Sequence, residues 1–132
     1  MIEFQTMFPV MVATDLEALK HFYGSVFGFS AVFYDPSFYL HLVSPSNGVQ
    51  LGFMVPNHES QPAFLHARMV TEGYVLSFEV SDAKKVFQQV TDLALEVVMP
   101  LKDEVWGQRH FMIKDPAGIR IDIIEHFEAA QK

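Results

Sequence analysis

The sequence predicts an α+β fold made of two similar βαβββ units. Two observations carry this prediction: the order strand, helix, three strands occurs twice, and the junction between first strand and helix repeats. Asp15 and Asp82 close these two junctions and stand 67 residues apart in a chain of 132. One such unit presents an apolar sheet face that it cannot cover alone, so we expect both units to form one domain.

Two helices are predicted from apolar residues that recur every three or four positions. Thr14 or Asp15 caps the first helix, and Gly28 ends it. Ser81 or Asp82 caps the second. The apolar stripe of the first helix is Leu16, Leu19, Phe22, Tyr23, Val26 and Phe27. The stripe of the second is Ala83, Val86, Phe87 and Val90.

Eight short apolar segments bounded by turn residues predict strands. They are residues 7–13, 29–33, 39–43, 49–55, 74–80, 95–99, 107–113 and 119–125. The stretch from Pro56 to Gly73 shows no periodicity and is predicted to be irregular. We therefore expect a first module at about residues 1–56, a linker at about 57–73 and a second module at about 74–127 within a single domain, 1–132.

Composition excludes several classes of partner. A net charge of −7 would repel a phosphate backbone or an anionic membrane surface, so we expect neither nucleic acid nor membrane as a partner. The absence of cysteine removes disulfides, thiolate metal sites and a cysteine nucleophile. No apolar run reaches the ~20 residues of a membrane span, and no secretion signal is evident. We expect a cytoplasmic protein.

Large apolar side chains are abundant for one small domain. The chain holds 13 Phe, 7 Met, 4 Tyr and 1 Trp. These residues fill an ordinary core, or some of them line an apolar cavity for a flat ligand. The two interpretations are compatible.

Two motifs resemble a known family. Asp15-Leu16, Phe22-Tyr23 and Gly28-Phe29 are similar to the D-L…F-Y…G-F signature that opens the vicinal oxygen chelate superfamily, which holds glyoxalase I, extradiol dioxygenases and the bleomycin and fosfomycin resistance proteins. The segment WGQRHFMIKDPAG at 106–118 resembles the closing W-G-x-R-x-F…D-P-x-G motif, especially as bleomycin-resistance-like members carry it. The resemblance spans nearly the whole chain in the expected order.

The resemblance implies a curved mixed sheet that forms a cup, with the helices outside, in a homodimer. Because side chains alternate along a strand, one face of each strand would line the cup. The residues expected to bind a ligand there are Phe8, Val10, Gln50, Met54, Val75, Glu79, Trp106, His110, Met112 and Asp122. The other residues assigned to the cup face are Val12, Gly52, Ser77, Arg120 and Ile124.

Metal chemistry in this family implies His, Gln or Glu at four strand positions. Position by position, Phe8 stands at the first, Gln50 near the second, Val75 at the third and Asp122 at the fourth. Phenyl and isopropyl groups cannot coordinate an ion, and Asp is one methylene shorter than the usual Glu. The sequence therefore predicts no catalytic metal and no other cofactor.

The expected function is the binding of a small molecule without chemistry. Aromatic faces together with the carboxylates of Glu79 and Asp122 favour a flat ligand that bears a cationic group. Such sequestration is also what the resemblance to bleomycin-resistance-like members implies.

Three alternatives stay open. A metal-dependent lyase or dioxygenase would need non-standard ligands, such as Glu79 with His41 and His110, the only two histidines expected on strands. A metal-free, isomerase-like catalyst would use Glu79 or Asp122 as its acid or base. A cup filled by its own core side chains would bind nothing.

Overall fold

A computed structural model describes residues 1–128, which fall into two compact units that divide between Val70 and Thr71. Each unit contains one α-helix and one open, four-stranded mixed sheet. This arrangement confirms the predicted α+β class with two βαβββ units. Within the described residues, no helix is long and apolar enough to cross a bilayer.

The N-terminal unit has its elements in the predicted order. They are β1 (Val10–Val12), α1 (Leu16–Phe27), β2 (Ser30–Asp35), β3 (Tyr39–Val43) and β4 (Gln50–Met54). The strands lie side by side as β1-β4-β3-β2, with β1 parallel to β4 and the other neighbours antiparallel. A single 3-10 turn, Ala63–Leu65, interrupts the stretch that was predicted to be irregular.

The C-terminal unit repeats this topology. Its elements are β5 (Leu76–Glu79), α2 (Ala83–Asp92), β6 (Val97–Glu104), β7 (Gln108–Lys114) and β8 (Arg120–His126). The strand order is β5-β8-β7-β6, and β5 runs parallel to β8. β5, β8, β7 and β6 therefore correspond to β1, β4, β3 and β2.

The two helices begin at equivalent aspartates. The carboxylate of Asp15 accepts a hydrogen bond from the Ala18 amide at 3.0 Å, and that of Asp82 accepts one from the Lys85 amide at 3.1 Å. Each carboxylate thus binds one of the amides that the first turn of a helix leaves without a partner. Of the alternatives Thr14 or Asp15 and Ser81 or Asp82, the aspartate is the cap in both cases.

The largest error in a predicted strand boundary is at the end of β6. The prediction ended a strand at Met99, before Pro100, whereas β6 continues through Pro100 to Glu104. Proline is tolerated here because β6 is an edge strand, and its pairing with β7 shifts register between Met99 and Lys102.

Alternation along the strands divides each sheet into a helix-packed face and a helix-free face. Tyr23 of α1 packs against Phe53 of β4 with ring centroids 5.5 Å apart, and Phe87 of α2 packs against Phe111 of β7 at 5.1 Å. The buried helix-packed residues of the strands include Leu40, Leu42, Leu51, Phe53, Phe111, Ile113, Ile121 and Ile123. Their neighbours in sequence therefore point to the helix-free faces.

Candidate functional site

The helix-free face of the N-terminal unit carries polar side chains in the middle of its sheet. Tyr39 and His41 on β3 alternate with the buried leucines and lie beside Gln50 and Gly52 on β4. A hydrogen-bonded chain connects them: the Tyr39 hydroxyl lies 2.7 Å from His41 Nδ1, and His41 Nε2 lies 2.6 Å from Gln50 Oε1. The Gln50 amide nitrogen in turn donates to Thr6 Oγ1 at 3.4 Å. The face therefore presents an ordered polar row.

Gly52 makes room for the Tyr39 ring. A Cβ atom at position 52 would overlap the Tyr39 hydroxyl and would lie 3.1 Å from both its Cζ atom and a methyl group of Val10. The absence of a side chain at Gly52 thus allows the phenol to lie across β4.

Predicted ligand-binding residues of this unit are found around the row. Phe8 lies just before β1 and meets the His41 ring edge-on, with centroids 4.5 Å apart. Phe8 and Val10 are 37% and 38% exposed, so both can be reached by a ligand. Met54 lies on the same face but is buried. Gln50 is part of the polar row.

The helix-free face of the C-terminal unit holds a buried histidine between two carboxylates. His110 Nδ1 lies 2.9 Å from Asp122 Oδ1, and His110 Nε2 lies 2.9 Å from Glu104 Oε2. His110 and Asp122 are buried, Glu104 is partly buried, and Lys102 Nζ lies 3.2 Å from Glu104 Oε2. We call Glu104, His110 and Asp122 the His110 clamp.

The charges of the clamp stabilise one another. The pKa of His110 is raised above its ordinary value because the hydrogen bonds and charges of Glu104 and Asp122 outweigh desolvation, the largest single influence, which acts in the opposite direction. The pKa of Glu104 is lowered, chiefly by its hydrogen bond from His110 and then by Lys102. Both ring nitrogens face carboxylate oxygens, so the clamp favours imidazolium.

The remaining predicted residues of this unit lie around the clamp. Glu79 accepts a hydrogen bond from His126 at 2.7 Å on an exposed part of the face. Because His126 is the last residue of β8, the expectation that only His41 and His110 lie on strands is wrong. Trp106 lies between β6 and β7, is 63% exposed and donates to Gln108.

Met112 and Val75 complete the predicted set. Met112 pairs with Asp122 and is half-buried on the same face, whereas Val75 lies just before β5 and is half-exposed. Arg120, also assigned to the ligand-facing side, donates to the carbonyl of Thr71 at 2.9 Å.

The donor set does not fit the metal site that the resemblance implies. Equivalent parallel ladders pair Val10 with Gly52 and Ser77 with Asp122. Gly52, and not Gln50 as expected from the sequence, is therefore the counterpart of Asp122 in the N-terminal unit. Phe8, Val75 and Gly52 offer no side-chain donor, and the carboxylate of Asp122 already binds His110. Across residues 1–128, no group of three His, Cys, Asp or Glu residues is arranged to hold an ion.

Tyr39 and Glu104 are site residues that sequence reasoning missed. The face assignment passed over β3 and β6, although alternation of Tyr39 and His41 with Leu40 and Leu42 already places the two rings on the helix-free face. For Glu104 no comparable signal exists, because the register shift in β6 decides where its side chain points.

A separate groove of the N-terminal unit lies beside α1. It encloses about 390 Å³ and is lined by Glu17, Lys20, His21, Gly24, Ser25, Phe29 and Ala31. None of the predicted ligand-binding residues lines it.

Comparison with known proteins places this geometry in a family. The model for the Glyoxalase/Bleomycin resistance protein/Dioxygenase superfamily matches residues 6–123. A search of curated proteins found no match.

Solved structures share the fold. A glyoxalase/bleomycin resistance protein/dioxygenase from Nocardioides has a TM-score of 0.76 at 19% identity, with 99% of this chain and 89% of that chain covered. A superfamily member from Sphaerobacter thermophilus has a TM-score of 0.74 at 22% sequence identity, with 94% of this chain and 98% of that chain covered. Lactoylglutathione lyase from Agrobacterium tumefaciens has a TM-score of 0.71 at 22% sequence identity, with 92% of each chain covered. The family match over most of the length, together with the repeated βαβββ topology, shows that this chain belongs to the Glyoxalase/Bleomycin resistance protein/Dioxygenase superfamily.

Proposed function

We propose that this protein binds a small, flat, cationic aromatic molecule and does so without a catalytic metal. The proposal depends on which residues stand at the four positions where the family binds its metal. Two of these positions hold Phe8 and Val75. The Tyr39 ring covers Gly52 at another, and His110 binds Asp122 at the last. A scaffold that retains the fold and fills these places with other contacts is suited to binding rather than to metal chemistry.

The helix-free face of the N-terminal unit supports the aromatic part of the proposal. Half-exposed Phe8 and Val10 stand beside the rings of His41 and Tyr39, which lie nearly parallel, with centroids 5.7 Å apart. A flat ligand can stack on such a surface and also meet polar groups at its edge.

Charge supports the cationic part. The chain carries a net charge of −7, and Glu79 on the C-terminal helix-free face is 73% exposed. Negative potential of this kind attracts cations and raises their rate of association.

The test combines metal analysis with ligand titration. Protein purified without chelator is analysed for zinc, nickel, manganese and iron, and is then titrated calorimetrically with 1-methylquinolinium and with protonated 4-aminoquinoline. We expect saturable binding by metal-free protein. Stoichiometric metal, or binding that needs added metal, would contradict the proposal and favour a metal-dependent lyase or dioxygenase.

A matched pair of variants locates the binding surface. Phe8→Ala removes an aromatic ring from the N-terminal helix-free face and should weaken binding of both probes by about fivefold, the loss of one stacking contact. Phe64→Ala removes an 80% exposed ring from the 3-10 turn, outside the sheet, and should leave binding unchanged. Equal effects of the two substitutions would place the ligand elsewhere.

A further inference from the structure

The hydrogen bonds of the N-terminal polar row have a fixed direction. The Gln50 Oε1 atom can only accept, so the hydrogen of the 2.6 Å contact must sit on His41 Nε2. A neutral imidazole that carries its hydrogen on Nε2 has a lone pair on Nδ1. In this neutral form Nδ1 accepts at 2.7 Å from the Tyr39 hydroxyl, which gives its one hydrogen to His41.

Tyr39 is left with an oxygen that can only accept. Burial raises the pKa of the Tyr39 phenol above its ordinary value, so the phenol keeps its proton at neutral pH. That proton is engaged with His41, and the remaining lone pairs belong to a partly buried side chain on the helix-free face. A ligand that meets this oxygen must bring the hydrogen itself.

The surroundings hold this acceptor in one place. Gly52 leaves the space into which the phenol fits, and Val10 bounds that space on the β1 side. At the far end of the row, Thr6 fixes the orientation of the Gln50 amide. The acceptor is therefore pre-organised before any ligand arrives, which reduces the ordering cost of binding.

We infer that the Tyr39 oxygen selects the polar group of the ligand by accepting a hydrogen bond from an N–H group carried on its aromatic ring. His41 and Gln50 act as positioning residues: His41 accepts the Tyr39 hydrogen and so fixes the direction of the remaining lone pairs, and Gln50 holds the hydrogen of His41 on Nε2. The class of ligand is thus a protonated aromatic amine rather than a quaternary aromatic cation. This inference rests on the proposed function and assigns its polar contact.

The two quinoline probes test the inference directly. Protonated 4-aminoquinoline offers N–H donors, whereas 1-methylquinolinium has the same charge and no N–H group. In Tyr39→Phe we expect binding of 4-aminoquinoline to weaken by about tenfold, as for a hydrogen bond to a charged group, and binding of 1-methylquinolinium to change by less than about twofold. Tyr34→Phe is the matched control: Tyr34 pairs with Leu40 and its ring lies beneath Lys20 of α1, on the helix-packed side, so loss of its hydroxyl should affect neither probe.

A measurement on the ligand-free protein tests the same inference independently. Nitrogen-15 NMR of histidine-labelled protein, with the signal assigned by its loss in His41→Phe, should show His41 with its hydrogen on Nε2. Hydrogen on Nδ1 would free the Tyr39 proton and overturn the inference. Equal weakening of both probes in Tyr39→Phe would also overturn it and leave the proposed function standing, whereas failure of both probes to bind wild-type protein would overturn both.

Discussion

Tyr39 and His110 occupy equivalent positions in the two units. Tyr39 pairs with Met54, two residues after Gly52 on β4. His110 pairs with Ile124, two residues after Asp122 on β8. Gly52 and Asp122 are themselves equivalent in the parallel ladders. Each of the two rings therefore reaches diagonally across the sheet toward the same place in its unit.

The two units fill this place differently. In the N-terminal unit Gly52 leaves room for the Tyr39 phenol, and the row of hydrogen bonds contains no carboxylate. In the C-terminal unit a carboxylate remains, and His110 neutralises it. The repeat has thus produced an uncharged acceptor on one helix-free face and a charged clamp on the other.

Gly52→Ala should destabilise the protein. The added methyl group would overlap the Tyr39 hydroxyl and crowd Val10, so the ring must move and the polar row must break. We expect a loss of about 1–3 kcal/mol in the free energy of unfolding, the usual cost of overpacking, measured by urea denaturation. The same variant should lose its preference for 4-aminoquinoline over 1-methylquinolinium.

Gly24→Ala is the control for Gly52→Ala, and it should have the opposite sign. Gly24 lies inside α1, where an added methyl would be 3.5 Å from the Phe29 carbonyl, an ordinary contact. Alanine favours a helix by up to about 1 kcal/mol over glycine, so this variant should gain stability. Adding Tyr39→Leu to Gly52→Ala should recover part of the lost stability, and a double variant that recovers nothing would show that the clash with Tyr39 is not the cause.

The His110 clamp should give a stability contribution that depends on pH. The pKa of His110 is raised, so its contribution is complete below its unfolded pKa of about 6.5 and is lost as pH rises through the folded value. The pKa of Glu104 is lowered, so its contribution is present above its unfolded pKa of about 4.3 and is lost as pH falls through the folded value. The clamp is thus strongest at about pH 5–6.

Denaturation of wild type and His110→Gln across the pH range measures this contribution. At pH 6 the variant should be less stable by about 1–2 kcal/mol, a charged hydrogen bond discounted for solvent screening, and the difference should shrink above neutral pH. His126→Gln removes the exposed pair with Glu79 and should cost less than about 0.5 kcal/mol. A difference between wild type and His110→Gln that is flat from pH 5 to 9 would mean that folding does not raise the pKa of His110, and a difference that shrinks as pH falls below about 6.5 would mean that the ring is held neutral.

Asp122→Asn distinguishes the effects of the two clamp carboxylates on the pKa of His110. The variant keeps the shape of the side chain but removes the charge that attracts His110, so the pKa of His110 should fall relative to wild type and Glu104 alone should hold it up. NMR titration of the His110 ring measures this shift. Glu79→Gln changes a carboxylate that binds His126 instead, and it should leave the His110 titration unmoved.

The fold was predictable because local signals and the repeat agree. Aspartate at each helix start, glycine at the end of α1 and alternating apolar strands specify both βαβββ units without reference to long-range contacts. Gly28 takes a left-handed φ of 74°, which explains why glycine follows the periodic residues there. Such features depend only on residues that are close in sequence, so the sequence alone predicts them.

Register limited what the sequence could say about the site. Irregularities between Ala31 and Phe33, between Val97 and Met99 and between Met99 and Lys102 change which side chains share a face, and a one-residue shift reverses the face. The partnership of Glu104 with His110 depends on these shifts, and so could not be predicted. The partnership of Tyr39 with Gly52 needed only β3 to be included in the face assignment.

The equivalent helix caps provide a test of the repeat itself. If Asp15 and Asp82 perform the same task, Asp15→Ala and Asp82→Ala should each cost about 1 kcal/mol in the free energy of unfolding, because each leaves one first-turn amide without its acceptor. Asp92→Ala is the control: this aspartate lies at the last turn of α2, where its negative charge opposes the helix dipole, and it accepts a hydrogen bond from Gln88 at 3.0 Å, so the two small effects should nearly cancel. Asparagine at position 15 or 82 should restore most of the loss, since its side-chain oxygen can accept the same hydrogen bond. A loss of stability at only one of the two positions would mean that packing, rather than the cap, determines where the other helix begins. The two junctions would then be equivalent in sequence but not in their contribution to the free energy of unfolding.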